Sequence, residues 1–200
     1  MKNTLKKYLV DGLLIVFSVL FALFINKLAE STKINKQKKI AIESIQKELY
    51  RNAGIVNDWY PRHKATMVRI NDVLEGRNDS LKNEFLKYQF LNLALLTEDE
   101  SLMDAFLTNT AWETAKTTQV ISEFDFETIR SLTFVYDMQE VITEKTMIKI
   151  LDYYFDREAH NLEQLEPTLI QFQLRFSELV GQEALIQDFY DKAINRLESL

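Results

Sequence analysis

The 200-residue chain has no cysteine, two histidines, four glycines and two prolines. Without cysteine it forms no disulfide, zinc–thiolate site, iron–sulfur cluster or thiol nucleophile, and two histidines leave little room for histidine-based metal sites. Scarce glycine and proline, with 46% hydrophobic residues, exclude collagen-like and disordered chains. We therefore expect a folded protein that holds no cofactor.

Basic residues are scarce in most of the chain. Residues 1–39 hold eight lysines against Asp11 and Glu30, a net charge of +6, and the whole chain carries −6, which leaves −12 for residues 40–200. A body this acidic repels phosphate backbones, and no part of it interleaves basic and aromatic residues. We expect no nucleic-acid partner.

A hydrophobic run of 19 residues extends from Tyr8 to Asn26 near the N-terminus. At about 1.5 Å per residue a helix of this length reaches roughly 28 Å, which just spans a bilayer core. For cleavage after Ala22 or Ala29 the −3 position holds Leu20 or Lys27, where a small residue is needed, so no convincing signal-peptidase site is present. The sequence predicts a basic tail at 1–7, an uncleaved transmembrane signal anchor at 8–28 and an acidic domain at 29–200.

Lysines flank this anchor on both sides, so the positive-inside count is nearly tied. Moving a short, positively charged tail outward works against the membrane potential, at roughly 2.3 kcal/mol per charge per 100 mV. We therefore expect the N-terminus inside and the domain outside the cytoplasm.

Three polar residues, Asp11, Ser18 and Asn26, interrupt the apolar run. Asp11 fits the headgroup region at the start of the span, or it pairs with a lysine or arginine on a partner's transmembrane helix. Asn26 lies beside Lys27 at the other interface.

The rest of the chain lacks sustained period-2 alternation and predicts an all-α fold, in which the transmembrane helix continues into an antiparallel bundle of five or six helices. The first helix is expected to end near Trp59, and Pro61 to begin a second one that stops at Gly76. Ser80 is the expected cap of a third helix, and the acidic residues 97–101 begin a short fourth.

Later helices are predicted from heptad-like spacing. Ser122 and Asp125 resemble a capping box that opens the longest helix. Pro167 either kinks the following helix or lies in its first turn, and Gly181 ends it ahead of a last amphipathic helix. The expected core face of the longest helix consists of Phe134, Met138, Val141, Ile148, Leu151 and Phe155.

Candidate binding residues are aromatic or hydroxylic. Trp112 with Ala115 suits a core contact between short helices, with a Glu113–Lys116 pair outside, or else a ligand loop with the hydroxyls of Thr110, Thr114, Thr117 and Thr118. Tyr153 and Tyr154 either lie at the rim beside a buried Phe155 or belong to a partner or ligand surface.

The sequence contains no motif for catalysis or for metal binding. His63 and His160 lack partners at metal-ligand spacing, and the carboxylates at 98–100 suit a helix start. We expect neither a metal site nor an enzyme.

Several short motifs carry a resemblance. These are Phe-Ile-Asn at the end of the anchor, the basic helix after it, Ala-Trp-Glu-Thr-Ala-Lys at 111–116 and Phe-Val-Tyr-Asp at 134–137. In this order they resemble a family of uncharacterised bacterial single-pass membrane proteins. The resemblance implies a bacterial inner-membrane location, with the C-terminal domain in the periplasm if the orientation above holds, and no known activity.

Together these features predict a non-enzymatic, membrane-anchored helical domain that binds other proteins, as an accessory subunit or scaffold of a bacterial envelope complex. The expected partners are the lipid bilayer and another membrane or envelope protein, and homo-oligomerisation through the heptad faces stays open. The alternative is a ligand-sensing bundle outside the cytoplasm that signals through a partner.

Overall fold

A single long helix, α1 (Lys2–Leu74), dominates the computed structural model, which describes the backbone of residues 2–200 and the side chains of residues 12–200. From Gly12 onward, α1 is long and apolar enough by length and composition to cross a membrane, and the side chains of its most apolar stretch are unburied. The prediction that this apolar segment continues as helix into the bundle is confirmed. The side chain of Asp11 lies outside the described residues.

Pro61 lies inside α1, so the expected helix break near Trp59 is wrong. A proline in a helix interior removes one backbone hydrogen bond and costs about 3 kcal/mol. The buried side chains on both sides of it, Trp59 and His63 among them, hold this part of α1 against the rest of the bundle. Tertiary packing therefore outweighs the local preference of the sequence.

Three long helical stretches form the bundle. The second consists of α5 (Phe126–Glu140), a π-helical segment (Val141–Met147) and α6 (Ile148–Phe155), and the third is α7 (Leu165–Glu198). The hydroxyl of Tyr50 on α1 donates to Glu198, and further along α1 His63 meets Glu183, so α7 runs antiparallel to α1. The all-α class is confirmed, and no strand occurs in the described residues.

Buried side chains on α1 follow a heptad-like rhythm of alternating three- and four-residue steps, which is the spacing of helices packed with coiled-coil geometry. They are Ile45, Leu49, Asn52, Val56, Trp59, His63, Thr66, Ile70 and Val73. Three of these nine positions are polar, and each makes a hydrogen bond inside the protein.

The expected core face of the α5–α6 stretch is wrong for half of its residues. Phe134, Ile148 and Phe155 are exposed, Met138 and Leu151 are partly buried against the core, and the fully buried face is a neighbouring stripe that includes Gln139 and Thr146. Gln139 bonds to Asn52 and Tyr190, and Thr146 donates to Gln182, so these polar side chains occupy the core at little cost. Three large apolar residues of the predicted stripe therefore face outward while polar residues of the neighbouring stripe are buried.

α7 begins at Leu165, which places Pro167 in its first turn, where a backbone N–H has no helical partner in any case. One of the two predictions for Pro167 is therefore confirmed. The helix continues through Gly181, so the predicted end there is wrong. The space around Gly181 is open, and packing of Leu179, Val180 and Glu183 into the core holds the helix on both sides of it.

The region between α1 and α5 contains only short elements. They are α2 (Asp79–Phe85), α3 (Ala94–Thr97), α4 (Thr110–Thr117) and a 3-10 turn (Val120–Glu123). Asn78 rather than Ser80 caps α2, and Asp125 alone caps α5, since its carboxylate accepts the N–H of Thr128. The expected fourth helix is absent, because residues 98–109 form an irregular segment that we call the crossing segment.

Side chains of α1 hold the crossing segment by its backbone. The amide of Asn52 donates to the carbonyl of Thr108 at 2.7 Å and accepts its N–H at 3.1 Å. Nε2 of His63 lies 3.0 Å from the carbonyl oxygen of Leu102. An irregular segment needs such partners because its backbone groups find none in a regular ladder.

Candidate functional site

An open groove of about 640 Å³ separates α1 from α4. The α1 wall includes Gln37, Ile40, Ser44, Lys47 and Arg51, which share one helical face. The opposite wall includes Thr110, Ala111, Thr114, Ala115, Thr118 and Val120. The groove lies on the half of the bundle nearer the candidate span.

Two of the threonine hydroxyls in the groove are already engaged as hydrogen-bond donors. The hydroxyl of Thr114 donates to the carbonyl of Thr110 at 2.7 Å, and that of Thr118 donates to the carbonyl of Thr114 at 2.7 Å. Both hydroxyl protons are therefore occupied within the helix. Lys47 and Arg51 take part in none of the ion pairs of residues 12–200. The groove thus offers two cationic side chains beside a largely apolar wall.

Glu48 stands between the groove and the core and fixes the position of α4. Its carboxylate accepts the N–H of Ala111 at 2.9 Å, the N–H of Trp112 at 3.5 Å and the hydroxyl of Tyr136 at 2.7 Å. These N–H groups belong to the first turn of α4, which Asn109 leaves without a side-chain cap. A carboxylate at this place also meets the positive end of the helix dipole. Glu48 is therefore a capping residue supplied by another helix.

A buried polar network continues from this point into the core. The amide of Asn52 donates to Oε1 of Gln139 at 3.0 Å, and the hydroxyl of Tyr190 donates to the same oxygen at 2.8 Å. Burial is the main cause that raises the pKa of the Tyr136 and Tyr190 hydroxyls, and the negative charge of Glu48 adds to it. Both hydroxyls therefore stay protonated and serve as donors.

His63 and Glu183 form a second buried polar site nearer the far end of the bundle. Nδ1 of His63 lies 2.6 Å from Oε1 of Glu183, and both side chains are essentially inaccessible to water. Burial raises the pKa of the Glu183 carboxyl, and the hydrogen bond from His63 opposes that rise. Oε2 of Glu183 finds no hydrogen-bond partner among the described residues.

A chain of aromatic rings lies at the end of the bundle far from the candidate span. The rings of Tyr88, Phe90, His160, Tyr154 and Phe155 follow one another at centroid distances of 5.2–6.2 Å. Phe155 is 75% exposed and Phe90 is 46% exposed. We call Tyr88, Phe90, Tyr154 and Phe155 the distal patch.

The candidate residues from the sequence fall in different places. Trp112 is buried and stacks on Tyr136 with centroids 5.6 Å apart, whereas Thr114 is exposed on the groove wall. Tyr153 packs edge-on against Phe172 beneath the guanidinium of Arg175, and Tyr154 belongs to the distal patch. The structure therefore does not bring these four residues into one site.

The structure also places the predicted Glu113–Lys116 pair, the polar residues of the apolar segment and Phe155. Glu113 and Lys116 form the expected ion pair at 2.6 Å. Ser18 donates to the carbonyl of Leu14 within α1, and Asn26 is exposed. The expectation of a buried Phe155 beside rim tyrosines is wrong, since Phe155 is the most exposed of the three aromatics at 153–155.

Metal ligation has no geometric basis in residues 12–200. No group of three or more histidine and carboxylate side chains is placed to hold an ion there. His160 packs between the rings of Phe90 and Tyr154 instead.

Sequence reasoning missed Glu48, Asn52, Gln139 and the His63–Glu183 pair. A signal for two of them is present, because Asn52 and His63 occupy apolar positions of the heptad rhythm of α1. A polar residue at such a position requires a buried partner. The identity of that partner depends on which helices meet, and the spacing within one helix does not specify it.

No protein-family model, curated protein or solved structure matches the chain. The resemblance to a family of bacterial single-pass membrane proteins therefore stays a prediction.

Proposed function

We propose that the chain is a membrane-anchored, non-enzymatic helical domain that acts by binding another protein, as an accessory subunit or scaffold of a bacterial envelope complex. The observation that carries this proposal is the distal patch. Its rings are linked through the ring of His160, and Phe155 is 75% exposed. Aromatic side chains contribute much of the binding energy at protein interfaces.

The surroundings of the distal patch favour a partner with an apolar centre and basic rim. A groove of about 350 Å³ beside Phe155 is lined by Leu93, Met103 and Leu151, with Asp99 and Glu100 at its border. The body of the protein is strongly acidic as well. Charge complementarity across an interface selects the partner and raises the association rate more than it adds affinity.

The apolar N-terminal part of α1 and the resemblance support a location in a bacterial inner membrane, with the bundle outside the cytoplasm. The positive charges of residues 1–7 favour an inside N-terminus, and a large C-terminal domain is moved by the secretion machinery largely regardless of its charge. In this arrangement the distal patch faces envelope proteins.

Purification from the native membrane tests the proposed function. A tagged chain extracted in mild detergent is expected to carry a stoichiometric companion, visible in the mass of the intact particle. Phe155→Ser should release that companion. Phe126→Ser is the matched control, since Phe126 is also 75% exposed but opens α5 at the other end of the bundle. A lone monomer from the wild-type chain would contradict the proposal.

Ligand sensing is a second candidate, which the groove between α1 and α4 favours. That groove adjoins the same helix that forms the candidate span, so a ligand in it contacts both α1 and the rest of the bundle. Binding would then shift the position of α1 and signal through a partner. A thermal-shift screen in which no compound raises the melting temperature would argue against this candidate.

A further inference from the structure

We propose that the groove between α1 and α4 binds a long-chain fatty acid, with the carboxylate on Lys47 and Arg51 and the chain along the apolar wall. This inference names the ligand class for the ligand-sensing candidate and rests on that candidate for the consequence of binding.

The charges of the groove favour an anion. Lys47 and Arg51 are four residues apart on α1, so they are neighbours on one face and repel each other. Neither is paired with a carboxylate in residues 12–200, and the carboxylate of Glu48 beside them is engaged by α4 and Tyr136. An anion between the two cations removes their repulsion and supplies both with a partner.

The apolar part of the groove disfavours a sugar or another ligand that is polar along its whole length. The hydroxyl protons of Thr114 and Thr118 are already donated to α4 carbonyls, so the neutral donors of the lining are found mainly on Gln37, Ser44 and Thr110. Ile40, Ala41, Ala111, Ala115 and Val120 supply the apolar part of the wall. This distribution matches a ligand with one charged end and an apolar remainder.

The dimensions of the groove fit one extended chain. From Gln37 to Arg51 the α1 wall is about 21 Å long, the length of a long-chain fatty acid. Spread over that length, the volume of about 640 Å³ gives a mean cross-section of about 30 Å². A helix about 10 Å across needs about 80 Å², so a partner helix would enter only in part.

Binding is tested with the full chain in phosphatidylcholine nanodiscs. Three probes share a twelve-carbon chain and differ in the head: dodecanoate, dodecyltrimethylammonium and dodecyl maltoside. Dodecanoate is expected to bind at least tenfold more tightly than the other two. A diazirine-bearing fatty acid, photolysed and mapped by mass spectrometry, should form adducts with peptides from residues 37–51 and 110–120. Adducts confined to residues 12–28 would mean partition into the bilayer only and would overturn the proposal.

Matched variants locate the site. Thr114→Trp fills the groove and should weaken dodecanoate binding at least tenfold, whereas Thr117→Trp, exposed on α4 and outside the groove, should leave it unchanged. Ser44→Trp fills the groove from the opposite wall, with Glu43→Trp as its control, should Thr114→Trp fail to fold. Equal binding by the filled variants and their controls would refute the site.

Charge reversal tests the role of the two cations. The double variant Lys47→Glu with Arg51→Glu should prefer dodecyltrimethylammonium over dodecanoate, and Lys149→Glu, exposed on α6, should keep the wild-type order. An unchanged order in the double variant would overturn the carboxylate assignment. A native protein cross-linked within the groove would show a polypeptide occupant and would also overturn the proposal.

The same samples separate this inference from the sensing function. If dodecanoate binds in the groove but the composition of the purified particle is the same with and without it, the lipid site stands and the sensing candidate fails. If dodecanoate does not bind, the lipid site fails, and the ligand screen still decides the sensing candidate.

Discussion

Glu48 joins α1 to α4 by two hydrogen bonds and to α5 by a third, all to one carboxylate. The side chain is half-buried, and the N–H groups that it accepts belong to the first turn of α4, where they have no partner within the helix. Hydrogen bonds to a charged group contribute about 1.5–3 kcal/mol each in favourable cases. One residue thus stabilises a helix too short to be stable by itself.

Glu48→Ala is expected to lower the free energy of unfolding by about 2–3 kcal/mol, because the first turn of α4 loses its cap and Tyr136 loses its acceptor. Urea unfolding followed by circular dichroism measures the change. Glu43→Ala, exposed one turn earlier on α1, should stay within about 0.5 kcal/mol. Equal effects of the two substitutions would contradict the capping role.

The His63–Glu183 pair holds one proton between two buried atoms. Nε2 of His63 faces a carbonyl oxygen, which only accepts, so Nε2 carries a hydrogen. The proton between Nδ1 and Oε1 then makes either an ion pair or a neutral pair. Because Oε2 lacks a partner and burial raises the pKa of Glu183, the protonated carboxyl gains stability relative to the carboxylate.

Stability should therefore depend on pH through Glu183. Its pKa in the folded protein lies above the ordinary 4.5 of the unfolded chain, so the folded state binds more protons in the interval between the two values. The free energy of unfolding is then expected to fall as pH rises through that interval. Glu183→Gln should flatten this dependence, measured as urea midpoints at several pH values, and Asp191→Asn on the exposed side of α7 should not. A slope that survives Glu183→Gln would assign the dependence to another group.

At the scale of elements, α1 contains Pro61 in its interior, although proline disfavours that position in a helix. Pro61 is exposed, whereas Trp59 and His63, two positions away on either side, are buried, so the ring contributes little packing that would offset the missing hydrogen bond. Pro167 differs, because it lies in the first turn of α7, where no helical hydrogen bond is lost.

Pro61→Ala is expected to raise the free energy of unfolding by about 1–2 kcal/mol, since the regained helix interior outweighs the greater freedom of the unfolded chain. Pro167→Ala should lower the free energy of unfolding by about 1 kcal/mol or less, because its only effect is to give the unfolded chain more conformational freedom. Thermal and urea unfolding of the two variants measure these changes. A loss of stability in Pro61→Ala would show that α1 depends on the proline.

The sequence predicts the class of this fold better than it predicts the ends and the faces of the helices. The helical class and the continuation of the apolar segment into the bundle follow from spacing and composition, and the first-turn position of Pro167 is one of the two alternatives that local preference allows. The buried face of α5–α6 did not follow, because Gln139 and Thr146 are polar and their partners come from other helices. Long-range contacts also determine the groove, whose threonines were candidates but whose cations were not.

At the scale of the whole molecule, the sequence gives nearly equal support to the two possible membrane orientations. The chain has no cysteine, so single cysteines report position without a background. With the N-terminus inside, an impermeant thiol reagent applied to intact cells should label Ser199→Cys and not Asn3→Cys. Labelling of Asn3→Cys alone would reverse the orientation, and the distal patch would then meet cytoplasmic partners.

The unbroken course of α1 also determines how far its end would lie from a membrane. From Lys27 to Leu74 the helix rises by about 70 Å, and at the average tilt of transmembrane helices, about 20°, the height above the bilayer surface is still about 66 Å. If the apolar segment spans a bilayer, a membrane neighbour with short outer loops would not reach the far end of α1 from the same bilayer. Only a partner with a tall extramembrane part, or one held elsewhere in the envelope, reaches that height.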